Sequence, residues 1–116
     1  MKLPLKLPLL AASALAMLAA CDKTGTGNTC ASTGAIAVDL TDNNAFVPAS
    51  LTITPTQSVC WQNLGTVTHT MTSALVSDSI DITLPPNFTY TRGFGAVQTF
   101  NYYCRFHSET GVIDVR

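Results

Sequence analysis

Phe100-Asn101-Tyr102-Tyr103-Cys104-Arg105-Phe106-His107 is the stretch on which the reading of this chain turns. Phe100, Tyr102 and Cys104 alternate on one face, the two-residue period of a half-buried strand, so the thiol of Cys104 is expected to point into a core. Arg105 to His107 then leave the strand as a short loop. The chain has one other histidine, His69, which lies 35 residues upstream of Cys104. A soft thiolate and two imidazoles are the donor set of a trigonal blue-copper site. One donor from a distant strand and two from a loop is how a β-sandwich would clamp a single ion.

The same period recurs through the rest of the chain. Ile36, Val38 and Leu40 alternate with small or polar residues. Asp42-Asn43-Asn44 forms a turn, and Phe46-Val47-Pro48 leads into a strand at Leu51-Thr52-Ile53 that ends at Pro55. Val59 and Trp61 alternate against Cys60 and Gln62, which places Cys60 on the outer side of its sheet. Asn63 to Thr68 reads as a polar loop, and His69-Thr70-Met71-Thr72 opens the next strand, with Met71 as core. Ser73 to Asp81 is poorly patterned; Ile80, Ile82 and Leu84 alternate before Pro85-Pro86. Phe88 and Tyr90 indicate a strand ending at Arg92-Gly93, and Ile113 and Val115 mark the last strand. No amphipathic helix and no repeat emerges. About seven or eight short strands at regular spacing predict an antiparallel, all-β sandwich. Residues 34–116 are long enough for one core.

The 116 residues divide into three parts. Lys2 and Lys6 precede an apolar run from Leu7 to Ala20, which is short for a membrane span of about 20 residues and has the layout of a secretory signal, residues 1–20. Leu18-Ala19-Ala20-Cys21 resembles the lipobox of bacterial lipoproteins. That resemblance implies lipidation of Cys21 as the first mature residue. Asp22 resembles the signal that retains some of these proteins at the inner membrane. Residues 21–33, rich in Gly, Thr and Asn, read as a flexible tether. From Cys21 onward four basic residues face seven acidic ones, a net charge of −3. No cluster of Lys and Arg is available for phosphate, so nucleic acid is not an expected partner. With Cys21 assigned to lipid and Cys104 to metal, Cys30 and Cys60 remain as a disulfide pair in an oxidising exported compartment. Two buried free thiols are the alternative that parity leaves open.

Several stretches in order carry a wider resemblance. Ala45-Phe46-Val47-Pro48-Ala49-Ser50-Leu51, Val59-Cys60-Trp61-Gln62-Asn63, His69-Thr70, Tyr102 to His107 and Gly111-Val112-Ile113-Asp114-Val115 together resemble a plastocyanin-type cupredoxin, across nearly all of residues 34–116. The resemblance implies a Greek-key β-sandwich with one copper ion (Cu+/Cu2+) near one end, held equatorially by His69, Cys104 and His107. It also implies one-electron transfer to redox proteins such as cytochromes or copper oxidases and reductases, rather than catalysis. The expected product is a monomeric carrier, exported and lipid-anchored on the periplasmic or extracellular face of the membrane. Phe106 and the loop Leu64-Gly65-Thr66-Val67 would form an apolar docking patch around His107, with Arg105 a solvated charge. The alternatives are an exported copper-binding or trafficking protein without redox turnover, and a metal-free interaction module.

One departure from the family pattern bears on the site. The family supplies a weak axial Met two to five residues after its loop histidine, but Ser108-Glu109-Thr110-Gly111-Val112 contains none. Val112 or Thr110 falls at the Met position according to how the loop is counted, and Glu109 or the Thr68 carbonyl are further oxygen donors. The expectation is an axial position with no strong ligand, because Glu109, two residues from His107 on a short loop, would point to water.

Overall fold

The computed structural model describes residues 29–116. The expected signal segment and the lipidation position Cys21 therefore lie outside the described residues. Among those residues there is no α-helix, and none forms a helix long and apolar enough to cross a membrane. Nine strands form: β1 (Ile36–Thr41), β2 (Ala45–Val47), β3 (Ser50–Ile53), β4 (Ser58–Asn63), β5 (His69–Ser73), β6 (Asp81–Leu84), β7 (Thr89–Gly93), β8 (Gln98–Tyr103) and β9 (Thr110–Val115). They build a sandwich of two sheets, ordered β2-β1-β4-β7 and β3-β9-β8-β5-β6.

The alternation of side chains decides what meets between the sheets. Val38 and Leu40 of β1, Val59 and Trp61 of β4, Phe100 and Tyr102 of β8, and Ile113 and Val115 of β9 all face inward and are buried. Trp61 from one sheet meets the Tyr102 ring from the other edge-on, with centroids 5.4 Å apart. Phe46 also meets the Tyr102 ring edge-on, at 4.7 Å. Rings of this size each bury on the order of 150–250 Å² and dominate the packing of a small core. Burial pushes the Tyr102 hydroxyl up to about 12, so it stays neutral. Tyr102 also lies against Gly111 on the adjacent strand. A Cβ at that glycine would stand 2.3 Å from the ring, so only glycine fits.

Three expectations are corrected here. The sheets are mixed rather than antiparallel: β1 runs parallel to β4 (Ile36 opposite Val59, Leu40 opposite Asn63), and β3 runs parallel to β9 (Leu51 opposite Ile113). Both pairs join strands that are far apart in sequence, a choice that side-chain alternation does not encode. The count is nine because Ala45–Val47 pairs antiparallel with β1 as a strand of its own, before the chain crosses to β3 through a cis Val47–Pro48 peptide. Phe88, read as a strand residue, instead sits in the turn before β7 and is exposed.

The N-terminal side of the domain is pinned. Thr29–Ser32, which fall in the segment read as tether, form a 3-10 turn. Cys30 in that turn is bonded to Cys60 of β4, with Cα atoms 5.6 Å apart. Cys60 is on the outer side of its sheet, as its alternation predicts, and is fully buried.

Candidate metal centre

His69 opens β5, where it pairs with Leu84 at the end of β6. Asn63, fully buried, builds the frame around it. Its side-chain amide donates to the carbonyls of Val67 (2.7 Å) and Leu84 (2.8 Å), and its Oδ1 accepts the Gly65 N–H (2.9 Å). Its main chain bonds the 85–88 turn through the Phe88 carbonyl and the Asn87 N–H. One residue, through side chain and main chain together, thereby ties the 64–68 loop and the β6–β7 turn to the strand end that carries His69. The same loop is fastened from outside by Asp42, whose carboxylate accepts the Thr66 N–H and hydroxyl, each at 2.7 Å. Those bonds hold the Asp42 carboxyl below its usual range.

Cys104 follows directly on β8, and the chain reverses before β9. The Cys104 N–H donates to the Glu109 carbonyl (2.9 Å) and the Ser108 N–H to the Cys104 carbonyl (3.1 Å), closing a tight loop. Ser108 turns it with φ of 75°, in the left-handed region. The Thr70 N–H donates to the Cys104 sulfur at 3.3 Å, so the residue after His69 orients the thiol. Thr70 does more through its hydroxyl, which accepts the Arg105 N–H at 2.8 Å and lies 3.0 Å from the Thr72 hydroxyl. Thr72 donates on to Asp81 (2.8 Å), and Asp81 accepts from Arg105 Nε (3.0 Å). The ring of bonds begins and ends on Arg105, adjacent to the thiol, and clamps the start of the loop to β5 and β6. The Thr72 hydroxyl and the Arg105 guanidinium hold the Asp81 carboxyl below its usual range. Arg105, expected as a solvated charge, is exposed and is also part of the frame, and it lies over the Phe106 ring.

The result is a cluster of His69, Cys104, His107 and Glu109 whose donor atoms all lie within 4.8 Å of one another. The sulfur is 3.9 Å from His69 Nδ1 and 3.5 Å from His107 Nδ1. Glu109 Oε2 is 2.7 Å from His69 Nδ1 and 3.8 Å from His107 Nδ1. Bonds of about 2.0–2.3 Å from one tetrahedral ion to N, O and S donors set those donors roughly 3–4 Å apart. The separations of 3.5, 3.8 and 3.9 Å fit that spacing, whereas His69 Nδ1 and Glu109 Oε2 stand at hydrogen-bond distance; a thiol with two imidazoles suits copper. His69 and Cys104 are buried, whereas the His107 side chain is 24% exposed and forms the outer edge of the cluster. Phe106 stands beside it, half exposed, its ring nearly perpendicular to the imidazole. Leu64 and Val67 on the loop next to His69 are exposed as well. Met71 is buried in the core.

The expected orientation of Glu109 is corrected. Glu109 does not point to water: its side chain is 3% exposed and reaches into the cluster. Thr110 and Val112 face the other way, along a groove of about 540 Å³ on the outer side of their sheet. The signal that finds Glu109 is the strand period run backwards. Val115, Ile113 and Gly111 face inward, and two residues earlier is Glu109.

No protein-family model matches the sequence, and no curated protein matches it by sequence. Solved structures do resemble the fold. A purple cupredoxin from Nitrosopumilus maritimus superposes with a TM-score of 0.64 at 21% identity, covering 70% of this chain and 99% of that one. A reduced amicyanin variant gives 0.65 at 22% identity over 80% of this chain and 94% of that one, and an oxidised amicyanin variant gives 0.66 at 20% identity over 72% and 83%. With its two mixed sheets and the donor cluster at one end, this chain has the cupredoxin fold.

Proposed function

We propose that the protein is a one-electron carrier that cycles a single copper ion held by His69, Cys104 and His107. The observation that carries this reading is the cluster itself, in which the only free cysteine among the described residues meets both histidines of the chain. A thiolate stabilises Cu(I), imidazole suits both oxidation states, and a sandwich fastened by Asn63 and the Thr70–Asp81–Arg105 ring resists rearrangement between them. The partly exposed edge of His107, flanked by Phe106, offers the route for the electron and a small apolar face for brief docking of a redox protein. A variant of amicyanin, which shares the fold, has been solved in a Cu(I) form. The Leu18-Ala19-Ala20-Cys21 ending supports export and lipid attachment at Cys21, with the carrier held at the membrane. Titration of the purified protein with Cu(II) tests the reading. One equivalent should produce a strong visible thiolate-to-copper band that bleaches on reduction and returns on oxidation, and Cys104→Ser should abolish it. Stoichiometric Cu(II) binding without colour would refute it. Copper storage without redox turnover is a second reading, which the Glu109 carboxylate favours because it hardens the donor set; a copper centre that cannot be cycled reversibly would support it.

A further inference from the structure

Glu109 is placed where an uncompensated carboxylate is expensive. Oε2 contacts His69 Nδ1 at 2.7 Å, while Oε1 is buried with no hydrogen-bond partner. The thiol of Cys104 is buried in the same cluster. Arg92, Arg105 and Arg116 pair with Asp78, Asp81 and Asp114, so among the described residues no Arg or Lys pairs with Glu109. Two acidic groups enclosed together are costly to charge unless a cation sits between them. Both histidines turn Nδ1 towards the Cys104 sulfur and Glu109 Oε2, so two nitrogens, a sulfur and a carboxylate oxygen converge on one place. The backbone enforces the placement: the left-handed Ser108 and the bond from the Cys104 N–H to the Glu109 carbonyl return residue 109 to the thiol.

We infer that Glu109 is the fourth ligand of the centre, an anionic oxygen donor in place of the family's thioether. The inference rests on the proposed copper site. Thiolate and carboxylate together neutralise a divalent ion and leave the monovalent state with a net negative charge in an enclosed site. The oxidised form is therefore favoured, and the centre belongs at the low-potential end of its class, matched to a strongly reducing donor. The oxygen ligand also makes the site retentive for divalent zinc, which accepts oxygen, nitrogen and sulfur together.

Glu109 is the one glutamate of the chain, so ¹³C-glutamate labelling reports on it alone, in the unmutated protein. Stoichiometric Zn(II) should shift the labelled carboxylate infrared band from the free to the metal-bound position. In Glu109→Gln, Zn(II) affinity should fall at least tenfold. Its Cu(II) spectrum should change, and its midpoint potential should rise by at least the 59 mV that a tenfold loss of Cu(II) over Cu(I) preference represents. An unshifted band in the zinc-loaded protein, or a Gln variant with the wild-type spectrum, potential and zinc affinity, would leave Glu109 as a hydrogen-bond partner of His69 and overturn the inference while the three-donor copper site stands. Failure of the wild-type protein to bind copper at all would instead remove the proposed function, and this inference with it.

Discussion

Removing the Cys30–Cys60 bridge should cost the domain a large share of its stability and leave the metal centre alone. The bridge joins residues 30 apart in sequence. Closing a loop of that length lowers the entropy of the unfolded chain by roughly 12 cal/mol/K, or about 3.6 kcal/mol at room temperature. At about 0.05–0.15 kcal/mol per residue, a domain of this size has roughly 4–13 kcal/mol in total. Both sulfurs are buried, so the double variant Cys30→Ala with Cys60→Ala adds a small packing loss. For a domain under 100 residues each kcal/mol moves the midpoint by about 4–8 °C, so Tm should fall by at least about 14 °C. The assay is paired thermal and guanidinium unfolding of the metal-free protein, wild type against double variant, with the copper spectrum recorded on each. The spectrum should be unchanged, because Cys60 lies on β4 in one sheet while His69 and the Cys104 loop belong to the other. A stability loss under about 1 kcal/mol would refute the loop-entropy argument. Free alkylation of both cysteines in exported, unreduced protein would refute the bridge itself.

Two further outcomes follow from the clamp around the thiol. Thr70→Val keeps the shape of a fully buried side chain but removes the acceptor of the Arg105 N–H; leaving that donor unpaired should cost about 1–3 kcal/mol and speed hydrogen exchange at the Arg105 amide, and an unaltered exchange rate there would count against the ring as a positioning device. The folded-state pKa of Asp81 is depressed below 3.8 by Thr72 and Arg105, so its contribution to stability is present above that value and is lost as pH falls through the lower folded pKa. Asp81→Asn should therefore flatten the acid limb of stability measured by urea unfolding between about pH 6 and about pH 2, and superimposable acid limbs for the two proteins would contradict this.

Much of the architecture is written locally. A pleated strand turns alternate side chains to opposite faces, so Val38 and Leu40, Val59 and Trp61, and Phe100, Tyr102 and Cys104 announce both their strands and the face each strand buries. Residue chemistry is equally local: a thiol and two imidazoles mark candidate donors wherever the chain places them. What the alternation does not carry is the identity of the partner across a sheet. The parallel pairing of β1 with β4 and of β3 with β9 joins residues distant in sequence, and these pairings emerge from the packing of both faces at once. The short β2 exists only because β1 lies beside it.

The same division runs through the candidate metal centre. His69, Cys104 and His107 were legible as a set, and the structure brings them together. Asn63 and Thr70 carry no readable role of their own in the sequence, because their roles are bonds to carbonyls, an amide and a sulfur that only folding brings within reach. Glu109 is the sharpest case. Its nearness to His107 in a short loop argues for solvent, whereas the period of β9 run back through Gly111 argues for the inside; the left-handed turn at Ser108 carries the inward phase back to residue 109, and only folding brings its carboxylate beside the thiol and the two imidazoles.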